Sequence, residues 1–379
     1  MKIAIVAESF LPSINGVTHS VLRVVENLLA AGHHVDVVAA APPGRLDPSV
    51  LTRCRAAVHW VPSLAVPGYR SLRWAAPGVS RLQSLLSELD ADIVHLAAPF
   101  VLGWDAVRAA RALELPTVAV FQTDLPSYAA RYGLAALEPM LWNRVRDVHL
   151  AADRTLVPSA ASAAQLRSRG IPEVHRWARG VDAASFHPDR RDDGLRRSWA
   201  SSGEVVVGYV GRLAAEKQAE DLRAVQDLPG TQLVIIGDGP LRGRLERLLP
   251  KARFCGWQSG ADLARAVASL DIAVHPGEYE TFGQTIQEAM ASAVPVVAVA
   301  RGGPLDLVEP GRTGLLYPAR QLDQLRAQVA RLIASPDERR RFGRSARELV
   351  RGRSWAATTA LLLQHYRDVD AQHRSLLVA

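Results

Sequence analysis

Short apolar runs alternate with helical patterns along the whole chain. In the first half, the runs at 2–7, 35–40, 57–61, 92–96, 116–121 and 154–157 predict strands, and apolar positions at helical spacing predict helices near 17–31, 79–89, 101–113 and 134–152. In the second half, strands are expected at 204–210, 232–236, 252–255, 271–275 and 295–299, and helices near 218–227, 240–249, 261–269, 284–292, 321–334 and 336–350. Such alternation builds parallel sheets from strand–helix–strand units, which is the α/β class. The pattern lapses at roughly 186–203, where Phe186-His187-Pro188 leads into a charge-rich stretch ending Ser201-Ser202-Gly203. This gives two doubly wound domains in tandem, 1–190 and 200–353. A terminal helix over 354–379, with Trp355, Thr359, Leu362, Leu363, Tyr366 and Val369 at helical spacing, is expected to cross back to the first domain.

The length of 379 residues suits two domains of ~100–200 residues with a cleft between them. Apolar residues at 48% and charged residues at 22% exclude a mainly disordered chain. No stretch approaches the ~20 apolar residues of a membrane-spanning helix. The apolar start Met1–Ala7 is too short for a signal peptide, so the expected location is cytoplasmic. Cys54 and Cys255 supply neither a disulfide framework nor a metal cluster and read as ordinary buried thiols. The net charge of +7 divides into +4 over 1–200 and +3 over 201–379, so neither half is a nucleic-acid-binding arm and no nucleic-acid partner is expected.

Two local features of the charge matter more than its total. Of 45 basic residues only three are lysines, Lys2, Lys217 and Lys251, and lysine and arginine are not interchangeable at phosphate sites. Residues 45–81 hold Arg45, Arg53, Arg55, Arg70, Arg73 and Arg81 against one acid, Asp47, with Trp60, Val66, Tyr69, Leu72 and Trp74 interleaved.

Candidate chemistry follows the strand ends, where open parallel sheets bind ligands. After the first strand, a dinucleotide fingerprint would place three glycines at once; only Gly16 is present and it comes late, which disfavours a nicotinamide enzyme. Asn15-Gly16 at a helix start offers backbone N–H groups to an anion, although taken alone the pair reads as a turn. The strand Val205–Val210 leads into Gly211-Arg212-Leu213-Ala214-Ala215-Glu216-Lys217, whose two cations can flank a diphosphate or pair with Glu216 or Glu220. Beyond the strand at 271–275, Glu280 and Glu288 stand eight residues apart. In a wholly helical stretch they would be about 12 Å apart, too far for a glycosidase pair across one bond and suited instead to opposite ends of an elongated ligand. Gly283 would start a helix whose N–H groups at Gly283, Gln284 and Thr285 face a phosphate. Asp90-Ala91-Asp92 has the spacing of a metal-chelating pair but lies on the amino edge of a sheet and reads as a loop. His33, His34 and His365 read as a helix end and a helix face, and no structural metal is expected.

The order of these residues resembles the retaining GT-B glycosyltransferases of family 4, over essentially the whole length. The resemblance rests on Asn15-Gly16-Val17, on Arg179-Gly180-Val181-Asp182 followed by Phe186, on Gly211-Arg212 with Glu216-Lys217, and on Glu280 and Glu288 with Phe282-Gly283 between them. Within the family, Ala7-Glu8-Ser9-Phe10-Leu11-Pro12, Phe121-Gln122-Thr123-Asp124 and Trp177–Asp182 resemble the actinobacterial GDP-mannose-dependent α-mannosyltransferases of membrane glycolipids.

The resemblance implies two Rossmann-like domains and assigns roles. Arg212 and Lys217 would hold and neutralise the donor diphosphate, Glu280 would bind hydroxyls of the transferred hexose, and Glu288 the ribose. The backbone at Phe282, Gly283, Gln284 and Thr285 would contact sugar and phosphate, and Gly16 would approach the donor from the first domain. No metal or other cofactor is required. Many relatives carry a histidine where this chain has Gln122, so Gln122, Asp124 and Asn15 become the acceptor-side candidates. The loop Cys255–Gly260 should face the base, and no side chain in it dictates guanine over uracil.

By the same resemblance, the segment with Arg70, Arg73, Trp74 and Arg81 would dock on an anionic membrane surface, at ~1 kcal/mol per cation, unless it is a solvated loop. The expected activity is transfer of mannose from GDP-mannose to a lipid acceptor of the glucuronosyl diacylglycerol or phosphatidylinositol mannoside type, peripheral at the inner face of the plasma membrane. The rivals are a UDP-sugar donor on the same fold and a noncatalytic sugar-nucleotide-binding protein.

Overall fold

The computed structural model describes residues 1–44, 52–66 and 69–378, without the side chains of 65–66, 69–72, 130 and 376–378. The chain forms two compact units. One comprises Met1–Ala129, Leu134–Arg179 and Trp355–Ala379, the other Ala130–Gly133 and Gly180–Ser354.

The strands of the first unit are β1 (Lys2–Ala7), β2 (His34–Ala40), β3 (Ala57–Val61), β4 (Leu64–Val66), β5 (Tyr69–Trp74), β6 (Ile93–Ala97), β7 (Thr117–Val120), β8 (Arg154–Val157) and β9 (Val174–Arg176). Seven of them make one sheet in the order β3-β2-β1-β6-β7-β8-β9, parallel throughout. Because side chains alternate across a strand, Ile3, Ile5 and Ala7 enter the core on one face while Ala4 and Val6 enter the core on the other. The first face is covered by the helix Gly16–Ala30, with Val17, Val21, Val24, Val25 and Leu28 at helical spacing, and the second by the helices Val79–Glu88 and Leu102–Ala112.

The last helix, Trp355–Val378, belongs to the first unit. Trp355, Leu362, Leu363, Tyr366 and Val369 lie in the same core as Ile3 and Ile5. Polar bonds pin it at intervals: Trp177 Nε1 donates to the Thr358 carbonyl at 2.8 Å, Tyr366 Oη and His95 Nδ1 share a 2.7 Å hydrogen bond, and Arg154 reaches Asp368 at 3.2 Å. Burial without a charged neighbour pushes the pKa of His95 down to about 3, so the ring is a neutral member of this bond.

The second unit carries β10 (Val205–Val210), β11 (Thr231–Ile236), β12 (Arg253–Gly256), β13 (Ile272–His275), β14 (Val296–Val299) and β15 (Gly314–Tyr317), in the order β12-β11-β10-β13-β14-β15 and again parallel. In each sheet the strand order reverses at one place, between β1 and β6 and between β10 and β13. The loops that leave β10 and β13 therefore diverge over a crevice at the carboxyl end of the second sheet, the position where open α/β sheets take ligands. Among the described residues no helix is long and apolar enough to cross a membrane.

Several expectations are revised. Residues 218–227 do not form an α-helix; 3₁₀ turns occupy Ala215–Lys217 and Ala219–Ala224, separated by Gln218 in a left-handed conformation (φ 51°). Ala219, Leu222, Val225 and Leu228 all point into the core, a spacing of three that fits a 3₁₀ path and breaks the 3.6 period. The stretch Glu280–Glu288 is not wholly helical either, since the helix runs Gln284–Ala291. The basic stretch contains an antiparallel hairpin of β4 and β5. Arg45 and Asp47 lie outside the described residues, as does the side chain of Arg70. Asp90 pairs with Lys2 Nζ at 2.5 Å, and Asp92 accepts from the Lys2 backbone N–H at 2.7 Å, so these acids tie down the start of β1.

Candidate functional site

The crevice of the second unit is built by two loops. The loop after β10 carries Arg212, Glu216 and Lys217, and the loop after β13 carries Glu278, Tyr279, Glu280 and Phe282 ahead of the helix Gln284–Ala291. Lys217 Nζ donates to Glu280 Oε2 at 2.6 Å, with the two side chains 23% and 14% exposed. His275 Nε2, at the last position of β13, lies 3.5 Å from the same oxygen. Burial alone would raise the Glu280 pKa; the Lys217 charge and the His275 contact outweigh it, and the carboxyl is held well below the usual range. Glu280 is thus an anion at any working pH, aimed by a cation.

Arg212 forms an ion pair with Glu216, which also accepts from Tyr132 Oη at 2.7 Å. The Glu216 pKa is lowered: burial pushes it up, and the Arg212 charge with the Tyr132 hydroxyl pushes it further down. Tyr209 supports the loop from below, its buried hydroxyl donating to the Arg212 carbonyl at 3.0 Å. Burial first, then the carboxylates Glu216 and Glu280, keep that phenol protonated.

The third element is a helix start. Gly283 takes φ +100°, a conformation that a Cβ disfavours, and turns the chain from the Glu280 loop into the helix. The N–H groups of Gln284, Thr285 and Ile286 precede any intrahelical acceptor, so they present partial positive charge beside the Lys217–Glu280 pair. Phe282 is fully buried and anchors the turn. Gln284 Nε2 donates to the Gly180 carbonyl at 3.2 Å and lies 3.4 Å from Glu288 Oε1. Glu288 is buried one helical turn below. The loop at Gly302-Gly303 backs the carboxylate loop, the Gly303 N–H donating to the Glu280 carbonyl at 2.7 Å. Together these groups can hold a dianion between cations and helix N–H groups while a fixed carboxylate accepts hydroxyl protons.

In the first unit, Asn15 caps the helix Gly16–Ala30, its Oδ1 accepting from Val17 N–H at 2.9 Å and Thr18 N–H at 3.0 Å. A Cβ on Gly16 would stand 3.2 Å from Arg179 Nη1. Gln122 is buried and accepts from Arg179 Nη2 at 2.8 Å. Asp124 is also buried, and its carboxylate receives Ser127 N–H at 3.1 Å and Gln165 Nε2 at 2.8 Å, both local structural bonds. Gly16, Gln122 and Arg179 are therefore neighbours, whereas Asp124 supports the start of the helix Leu125–Arg131. In the hairpin, Arg73 folds back on Ser63, donating to its hydroxyl and its carbonyl at 2.9 Å each, whereas Trp74 and Arg81, like Arg53 and Arg55 earlier in the basic stretch, are exposed. Trp257, in the loop expected to face a base, is exposed.

Three residues at the crevice were passed over in the sequence. His275 had a signal, the last position of an apolar strand. Glu278 had a weaker one, its place two residues before Glu280. Tyr132 had none, since it comes from a segment 84 residues away from Glu216.

Residues 14–185 match the family model Glycosyltransferase Family 4, and residues 192–349 match Glycosyl transferases group 1. The chain is 48% identical over 380 aligned residues, all of both chains, to a GDP-mannose-dependent alpha-mannosyltransferase of Mycolicibacterium smegmatis. It is 45% identical to a protein of the same name from Mycobacterium tuberculosis, with 97% of each chain covered. Among solved structures, sucrose-phosphate synthase from Thermosynechococcus elongatus superposes with a TM-score of 0.79 at 22% identity, over 98% of this chain and all of that one, which shows the shared two-domain fold. With both halves matched and close relatives along its entire length, the chain is a glycosyltransferase and belongs to glycosyltransferase family 4.

Proposed function

We propose that this enzyme transfers mannose from GDP-mannose to a membrane glycolipid of the glucuronosyl diacylglycerol or phosphatidylinositol mannoside type, with retention at the anomeric carbon. The observation that carries the proposal is the half-buried Lys217–Glu280 pair in the loops ahead of the helix start at Gln284. The donor follows from the relatives of 48% and 45% identity, both named for GDP-mannose. Membership in a transferase family removes the noncatalytic reading.

The residues divide the work as follows. Lys217 and Arg212 bind the diphosphate, and charge-assisted bonds of this kind contribute roughly 1.5–3 kcal/mol each. In the free enzyme both cations already sit against carboxylates, so the donor phosphates compete with Glu280 and Glu216 and do not enter an uncompensated positive pocket. The Lys217 and His275 contacts to Glu280 both fall on Oε2, so Oε1 is the oxygen that a hexose hydroxyl meets. Glu288 takes the ribose hydroxyls. As the bond from the anomeric carbon to the phosphate oxygen breaks, positive charge builds on the ring and negative charge on the leaving diphosphate. Lys217, Arg212 and the helix N–H groups are fixed before that charge develops, which lowers the barrier. The acceptor hydroxyl attacks from the face the diphosphate leaves, and its proton passes to the leaving oxygen.

Exposed Trp74 and Arg81 fit the first unit to an anionic lipid surface, with the aromatic ring at the interface and the cation at the headgroups.

The test is incubation of the purified enzyme with labelled GDP-mannose and a membrane lipid extract, followed by product analysis, alongside calorimetric titration with GDP and UDP. Label in a lipid product and preference for GDP are expected. Turnover of a UDP-sugar with GDP-mannose inert would overturn the donor assignment. Lys217→Ala and Glu280→Ala should each lower turnover at least a hundredfold, about 2.7 kcal/mol of barrier.

A further inference from the structure

The functional pair draws one member from each loop, and neither loop alone fixes a 2.6 Å spacing between Lys217 and Glu280. Next to each member stands a buried polar residue with no part in the chemistry above. Gln218 follows Lys217 and is 7% exposed; Glu278 precedes Glu280 by two residues and is 3% exposed. The two are joined twice. The Glu278 N–H donates to Gln218 Oε1 at 2.8 Å, and Gln218 Nε2 donates to Glu278 Oε1 at 3.1 Å. This is a side-chain amide acting as a rung between two loops, with donor and acceptor both used.

Two further observations show that the rung is built in. Gln218 holds φ +51°, a left-handed conformation disfavoured for a residue with a Cβ, and an asparagine or glycine would suit that backbone better. The remaining Glu278 oxygen, Oε2, accepts from Arg301 Nη1 at 3.0 Å, and Arg301 in turn stacks over Tyr279, with its guanidinium carbon 5.7 Å from the ring centroid. Arg131 lies over the same ring at 5.2 Å. Glu278 is thus fixed from two sides, and Gln218 accepts backbone strain in order to reach it.

We propose that Gln218 and Glu278 are positioning residues for the transfer reaction: by bolting the lysine loop to the carboxylate loop they set the distance and direction between Lys217 and Glu280. The proposal rests on the reading that these two groups engage the donor. A chain that needed only a stable turn after Lys217 would place glycine at 218; a glutamine there serves reach.

Gln218→Gly is the discriminating variant, because it relieves the left-handed strain while removing the rung. Relief of the strain offsets only part of the two buried hydrogen bonds lost, so its unfolding midpoint should fall by a few degrees while the enzyme stays folded under assay conditions. Its kcat should fall roughly ten- to hundredfold, since a displacement on the scale of 1 Å is enough for such a loss, with KM for GDP-mannose changed less than about threefold. Glu278→Gln, which keeps an acceptor for Gln218 Nε2, should retain more kcat than Glu278→Ala. Unchanged kcat in Gln218→Gly, a rise in KM at constant kcat, or a fall in kcat that only tracks lost stability in both variants would each overturn the proposal. Lys217→Ala, run in parallel, separates the two layers. Full activity there refutes the functional reading itself, whereas a hundredfold loss there with normal Gln218→Gly refutes only the positioning role.

Discussion

Replacing Gly303 with alanine probes how closely the carboxylate loop must be held. The backbone at Gly303 is right-handed (φ −57°, ψ −33°), so alanine carries no conformational penalty there and by itself would stiffen the unfolded chain favourably. The obstacle is space. A Cβ at this position would stand 2.2 Å from the Phe282 carbonyl oxygen and 2.5 Å from its carbonyl carbon, whereas real Cβ contacts stop near 3.0 Å. The atoms in the way are backbone, so no rotamer change relieves them, and Phe282 or Gly303 must move by roughly 0.8 Å at least. The Gly303 N–H is bonded to the Glu280 carbonyl, so the movement is transmitted to the carboxylate. Overpacking of this kind costs about 1–3 kcal/mol of stability, and a misplacement near 1 Å costs about a hundredfold in turnover. The assay is kcat for mannosyl transfer in Gly303→Ala beside its unfolding midpoint, with Gly352→Ala, where a Cβ meets nothing within 4 Å, as the control. A Gly303→Ala enzyme that is folded and within threefold of the parent kcat would refute the inference that Glu280 works only where this backing loop holds it.

Other expectations follow from the same structure. Tyr366→Phe removes the partner of the buried His95 Nδ1 and should cost about 1–3 kcal/mol in the unfolding of the first unit, with KM for the donor unchanged; an unaltered unfolding curve would show that His95 is satisfied otherwise. Burial lowers His95 from 6.5 to about 3 and His149 from 6.5 to about 4, so between those values the unfolded chain binds more protons than the folded one. The stability involved is fully present above pH 6.5 and is lost as pH falls, on the order of 4 kcal/mol by pH 5 for the two together. A flat stability profile between pH 7 and 5 in denaturant titrations would contradict that. If Arg212 and Lys217 meet the leaving diphosphate as proposed, transferase activity should survive a molar excess of EDTA; loss that magnesium restores would show that the cations are insufficient.

The strands and most helices were legible because a sheet buried on both faces requires unbroken apolar runs, and β1, β10 and β14 fall where those runs do. Lys217 and Glu280 were legible as members of strand-end loops, and the topology brings those loops to one crevice. Three things were hidden. The 3₁₀ path through Ala219–Ala224 depends on the left-handed Gln218, whose stability comes from Glu278 sixty residues away. The Arg212–Glu216 pair was foreseeable from its spacing of four, but the Tyr132 hydroxyl that completes it was not, because Tyr132 arrives from a distant segment. The Gln122–Arg179 bond likewise joins residues 57 apart, and no local pattern encodes such a partner.

The seat of the final helix has a consequence for biosynthesis. Trp355, Leu362 and Tyr366 close a core whose other side chains, Ile3 and Val21 among them, leave the ribosome first. Until the helix from Trp355 has been made, those early side chains lack their cover, whereas the second sheet can already complete itself. The domain begun first is therefore finished last, and a nascent chain stalled before Trp355 should present an apolar face to trigger-factor-like chaperones.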